Sequence, residues 1–135
     1  MGNINSINSI NSINFIKRYN FENIQSIIQN KNNIIINTLS EDNQQCLIIG
    51  TINISDEVRI LNDCLTNAKD KEIIIYGKNN NDEKIFLKYK QLIDLGFKNV
   101  YIYAGGMFEW LLLQEIYGEE NFPTTTKELD ILKYK

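Results

Sequence analysis

The chain has 135 residues and a formal net charge of −3, from 14 basic and 17 acidic side chains, and it contains no histidine. That length is about one domain with a real core, and the mixed charge leaves no basic footprint for nucleic acid. The missing imidazole removes Ser-His-Asp and Cys-His catalysis together with most zinc sites.

The amino terminus, Met1-Gly2-Asn3-Ile4-Asn5-Ser6, fits the myristoylation pattern, which makes Gly2 a candidate lipidation site and a membrane-associated form its consequence. One acyl chain holds a protein to a membrane only marginally. Residues 3–14 repeat Ile-Asn-Ser, and isoleucine every third residue matches neither the helical nor the strand period, so residues 1–14 read as a flexible low-complexity arm. The chain's 24 Ile, 20 Asn and 12 Lys all have AT-rich codons, so no single asparagine carries functional weight on its own.

The globular part, 15–123, begins with a helix over Phe21–Gln29, capped by Asn20 and with Ile24, Ile27 and Ile28 on one face. Ile34–Leu39 reads as a strand buried on both faces. The apolar stretch Cys46–Ile54 follows a polar loop. Ser55 is then expected to cap a helix to about Ala68, with Val58, Leu61, Leu65 and Ala68 at core spacing. Ile73–Tyr76 is a strand, Asp82–Leu95 a helix closed by Gly96, Val100–Tyr103 a strand, and Gly106–Ile116 a helix. A tail, 124–135, follows the single proline, Pro123, and is expected to pack on the domain. Strands alternating with helices give an α/β domain around a parallel sheet. No apolar run approaches the ~20 residues of a membrane span, and no signal peptide is visible.

The order Tyr76-Gly77, loop, helix, Gly96-Phe97, Asn99-Val100-Tyr101, Gly105-Gly106 and Trp110 resembles the C-terminal half of a rhodanese-like domain. The likeness extends over roughly Asn20 to Pro123. It implies a single rhodanese-like domain: a five-stranded parallel sheet flanked by helices on both faces, with the active-site loop at a strand's carboxyl end, as in open α/β sheets generally. In catalytic members of the family the first loop residue is the cysteine that carries a persulfide. The resemblance places Gly77 there, in the loop Gly77-Lys78-Asn79-Asn80-Asn81-Asp82-Glu83-Lys84. The family's Asp-x-Arg element corresponds to Asn37-Thr38-Leu39, and its His and Pro positions to Leu47 and Ile49.

Sulfur transfer needs a thiolate, a cradle of backbone N–H groups and a cationic rim. Gly77 has no side chain, and Lys78 and Lys84 are balanced by Asp82 and Glu83, either of which can accept the free N–H groups of the following helix. The related phosphatase chemistry needs a loop arginine, but Arg18 and Arg59 lie elsewhere. Cys46 and Cys64 form neither a CxxC pair nor a disulfide framework, which suits a reducing, cytoplasmic setting.

The expectation is therefore a non-catalytic rhodanese-like domain serving as a protein-interaction or regulatory module, with no cofactor and no metal. Its partner is an unknown protein or a second copy. Phe108, Leu112 and Tyr134 are the candidate contacts, because the helix 106–116 is apolar on several faces. Two alternatives stand beside it: a sulfurtransferase using a displaced cysteine, and a structural subunit of a larger assembly.

Overall fold

The computed structural model describes residues 16–135. The low-complexity arm and the candidate lipidation site Gly2 lie outside the described residues. Four strands occur in chain order, β1 (Arg18–Tyr19), β2 (Asn33–Asn37), β3 (Glu72–Tyr76) and β4 (Val100–Tyr103). The helices are α1 (Phe21–Asn30), α2 (Ile54–Asn67), α3 (Glu83–Leu95) and α4 (Gly106–Tyr117), with short 3-10 turns at Glu41–Asn43 and Ile131–Tyr134.

All strand pairs are parallel, in the order β1-β4-β3-β2. Because side chains alternate along a strand, the isoleucine runs sort themselves onto two faces. Ile34, Ile36, Ile73, Ile75, Val100 and Ile102 face Leu61 of α2 and Ile85 and Leu92 of α3. Ile35, Ile74, Tyr76 and Tyr103 face Ile24 and Ile27 of α1 and Met107, Trp110 and Leu111 of α4. Each fully buried Ile contributes roughly 1.5–3 kcal/mol, so the two half-cores hold the sheet from both sides.

Local signals set the boundaries. The Asn20 side chain accepts from Asn23 N–H at 2.9 Å while Asn23 accepts from Asn20 N–H at 2.9 Å, a reciprocal capping box. Gly96 ends α3 in the left-handed region, φ 107°, where a Cβ would be strained.

The structure departs from the sequence expectations at three points. The sheet has four strands among the described residues, not five. The stretch 46–54 meets β2 through one parallel bridge, Ile35 to Thr51, with Ile52 N–H donating to Ile35 O at 2.9 Å. Its other backbone groups are diverted: Ile48 pairs antiparallel with Thr124 of the tail, and Ile48 N–H donates to the Tyr76 hydroxyl at 3.2 Å. Second, Asn53 caps α2 instead of Ser55, accepting from Ser55 N–H at 3.0 Å. Third, Val58 is 69% exposed. The inward stripe of α2 runs through Ile60, Leu61, Cys64 and Leu65, which pack on the half-core that α2 shares with α3, with Glu57 pairing with Lys88 of α3 at 2.6 Å on the same side, and Val58 lies outside it.

Candidate functional site at the carboxyl end of β3

Gly77 follows β3 directly and is buried. Its surroundings are closed on three sides. A Cβ built there would lie 2.5 Å from Asp82 Oδ2, 2.6 Å from Thr38 Oγ1 and 3.0 Å from Ile85 Cγ1. The Asp82 carboxylate reaches back into the loop as the N-cap of α3. Its Oδ1 accepts from Lys84 N–H at 3.1 Å and its Oδ2 from Lys78 N–H at 3.2 Å. Of the two acids weighed from sequence, Asp82 makes these bonds, whereas Glu83 is the exposed first residue of the helix.

The loop carbonyls are engaged as well. Met107 N–H donates to Gly77 O at 2.9 Å and Phe108 N–H to Lys78 O at 2.8 Å, so the loop occupies the first free N–H groups of α4. Gly106, with φ +64°, makes this approach possible: a Cβ there would lie 2.5 Å from Gly77 O. Asn79 Oδ1 accepts from Asn81 N–H at 2.8 Å, and Asn79 Nδ2 donates to Tyr134 O at 2.7 Å. Beside the loop lies a groove of about 530 Å³ bordered by Thr38, Leu39, Lys78, Asn81, Lys84 and Lys135. Asn80 is exposed.

The neighbouring loop carries amides and aliphatic groups. Asn37, buried at the end of β2, exchanges hydrogen bonds with Gln44: Nδ2 to Oε1 at 3.0 Å, and Gln44 Nε2 to Oδ1 at 2.7 Å. Leu39 and Leu47 are both buried. The Tyr76 hydroxyl, fully buried, lies 2.8 Å from Thr51 Oγ1 as well as accepting from Ile48 N–H. Burial pushes its phenol above the usual range. Gln44, Thr38 and the Tyr76 hydroxyl escaped sequence reasoning, because their roles depend on tertiary partners that no periodicity encodes.

Neither thiol stands in for a side chain at Gly77. Cys46 is buried, and its Sγ donates to Thr126 O at 3.2 Å. Cys64 sits in the last turn of α2, which returns the chain to the amino end of β3, opposite the loop. Burial pushes the Cys64 thiol up, outweighing the nearby Lys71, and so lowers its thiolate fraction. Among the described residues, no group of three or more His, Cys, Asp or Glu could hold a metal ion, and no helix is long and apolar enough to cross a membrane.

The apolar helix α4 is covered largely by the chain itself. Trp110 Nε1 donates to Pro123 O at 3.2 Å and Gln114 Nε2 to Phe122 O at 2.7 Å, and the Trp110 and Phe122 rings meet edge to face at 5.0 Å. Of the three candidate contact residues, Leu112 is 41% exposed and Phe108 half-buried. Tyr134 is fully buried, because the 3-10 turn that carries it packs against α4. As placed here it offers no surface to a partner.

Comparison with known proteins places this geometry. The sequence profile described as "Rhodanese-like domain" matches residues 12–113. A crystal structure of a protein from Bacillus halodurans superposes with a TM-score of 0.60 at 16% identity, over 97% of this chain and 98% of that one. One from Anabaena sp. gives 0.57 at 19% identity, over 85% and 86%. A thiosulfate sulfurtransferase from Pseudomonas aeruginosa gives 0.56 at 20% identity over 70% of this chain, which spans only 18% of that one. At such identities these likenesses are of fold alone. Among curated proteins, none matches the sequence. With the profile covering well over half its length, the chain belongs to the rhodanese-like domain family.

Proposed function

We propose that this is a non-catalytic rhodanese-like domain acting as a protein-interaction or regulatory module. One observation carries the reading. At the loop position where catalytic members of the family hold cysteine, this chain has Gly77, and the Asp82 carboxylate lies 2.5 Å from where the Cβ would be. A negative group already accepts the Lys78 and Lys84 N–H donors that would otherwise be free for a substrate anion. Both the nucleophile and the anion cradle are thereby removed from sulfur chemistry, while the fold that presents the loop and its groove is kept.

The test is a thiosulfate:cyanide assay on the full chain beside its Cys46→Ser and Cys64→Ser variants. The reading expects no cysteine-dependent thiocyanate. A signal abolished by either substitution would assign sulfur transfer to a displaced thiol.

A further inference from the structure

The tail is held in two unequal parts. Thr124–Thr126 is zipped to the stretch 45–48: Thr125 N–H donates to Leu47 O at 2.8 Å, Leu47 N–H to Thr125 Oγ1 at 3.0 Å, and Thr126 Oγ1 to Gln45 O at 2.8 Å. Beyond it, residues 128–135 are tied mainly to themselves. Glu128 pairs with Lys133, Asp130 N–H donates to Glu128 Oε2 at 3.4 Å, and Lys135 N–H donates to Leu132 O at 3.1 Å. Leu129 and Leu132 are 81% and 68% exposed. Among the described residues, the only hydrogen bond from this segment to the rest of the domain is Asn79 Nδ2 to Tyr134 O.

The attachment thus rests on the Tyr134 plug, the half-buried Ile131 beside it and one amide. The plug, Tyr134, is fully buried, yet among the described residues its hydroxyl has no hydrogen-bond partner. A buried orphan hydroxyl weakens the closed state. The amide couples two elements, since the Asn79 side chain holds the Tyr134 carbonyl through Nδ2 and the loop's Asn81 N–H through Oδ1. Lys135, the end of the same segment, borders the groove beside the loop.

We infer that residues 128–135 form a releasable strap whose closure, through the Tyr134 plug and the Asn79 side chain, fixes the Asn79–Asn81 turn of the Gly77–Asp82 loop. The Glu128–Lys133 pair and the turn Ile131–Tyr134 tie the strap to itself, and the threonine zip is its hinge. Segments with few buried contacts and few bonds to the core open below the global unfolding free energy. Release widens the groove at Lys135 and frees the Asn79–Asn81 turn together. That this gates a partner's access rests on the interaction reading above, whereas the opening itself does not.

Amide hydrogen exchange on the full-length protein across sub-denaturing urea tests the strap. The amides of Ile131, Lys133 and Lys135 report on it, Asn81 and Asp82 on the loop, and Ile75 and Ile102 on the sheet. Strap and loop are expected to exchange through a shared opening that is nearly independent of urea, while the sheet follows global unfolding. Tyr134→Ala destabilises the closed state against the open and the unfolded states alike, so strap, loop and sheet are all expected to exchange at least about tenfold faster, with strap and loop keeping their weak urea dependence and the sheet its steep one. Tyr134→Phe, which removes the orphan hydroxyl, is expected to slow both about fivefold.

Strap amides that share the sheet's urea slope would overturn the inference, and this wild-type result decides even if Tyr134→Ala does not fold. Strap opening that leaves Asn81 and Asp82 unchanged would overturn the coupling. A strap that opens as stated in a protein that captures no partner would leave the strap standing and count against the interaction reading alone.

Discussion

Gly77→Ala is the sharpest perturbation of the loop, because it adds one carbon and nothing else. That carbon would sit 2.5 Å from Asp82 Oδ2 and 2.6 Å from Thr38 Oγ1, both far inside contact distance. Ile85 Cγ1, at 3.0 Å, belongs to a fully buried side chain and blocks retreat in the third direction. Overpacking of this kind costs about 1–3 kcal/mol. If Asp82 swings away, the N-cap of α3 is lost as well, at about 1 kcal/mol. Against this stands a gain of about 0.4–1 kcal/mol from the smaller entropy of the unfolded chain. The net expectation is a loss of roughly 1–3 kcal/mol, or a melting temperature lower by roughly 4–12 °C for a domain of this size. Urea denaturation of Gly77→Ala, Asp82→Ala and the double variant measures it. Because Asp82→Ala removes the nearest clashing atoms, the double variant is expected to lose about 1 kcal/mol less than the sum of the singles. A neutral or stabilising Gly77→Ala, or strict additivity, would refute the view that the carboxylate occupies the nucleophile's space. Gly77→Cys adds the same carbon and is expected to be destabilised similarly without gaining sulfur transfer.

Tyr76→Phe leaves the buried Ile48 N–H without its acceptor, so a loss of about 1–3 kcal/mol is expected in urea denaturation; a loss under about 0.5 kcal/mol would place the hold on 46–52 elsewhere. Burial raises the phenols of Tyr76, Tyr103 and Tyr134, and for Tyr103 the adjoining Glu109 carboxylate adds to it. A pKa raised on folding means that the native state keeps its protons longer. The stabilisation is therefore complete below about pH 10 and is lost as pH rises through the higher native values. Ultraviolet titration is expected to show phenols that ionise only as circular dichroism reports unfolding, and full ionisation of all seven tyrosines in the native state would contradict it. Asn37→Asp replaces the amide that donates to Gln44 Oε1 with a buried charge, and is expected to cost about 1–3 kcal/mol at neutral pH by thermal melting; an unchanged melting temperature would refute that role for the amide pair.

The sequence makes the regular elements legible because their signals are local. The isoleucine runs, the Asn20 cap and the Gly96 stop each act within a few residues, and β4 falls on Val100–Tyr103 as its pattern indicates. That the described residues hold four strands and not five was not legible. Cys46–Ile54 has strand-like composition, yet Ile48 turns to Thr124 and to the Tyr76 hydroxyl, partners 76 and 28 residues away. Val58 shares the apolar spacing of Leu61 and Leu65 yet lies outside the stripe that meets the half-core, a difference set by the packing partners and not by any local pattern. At the loop, the position of Gly77 and a carboxylate N-cap could be read directly. The crowding of Gly77 by Thr38 and Ile85, and the tail's hold through Asn79, could not, because they arise where three separate segments meet.

Intact-mass spectrometry of the full chain after incubation with thiosulfate shows whether either thiol takes up sulfur. No cyanide-labile sulfur is expected on either thiol, because Cys46 is buried beneath the tail and Cys64 lies at the far end of the sheet from the loop. A single added sulfur that is removed by cyanide and lost in Cys46→Ser or Cys64→Ser would contradict it.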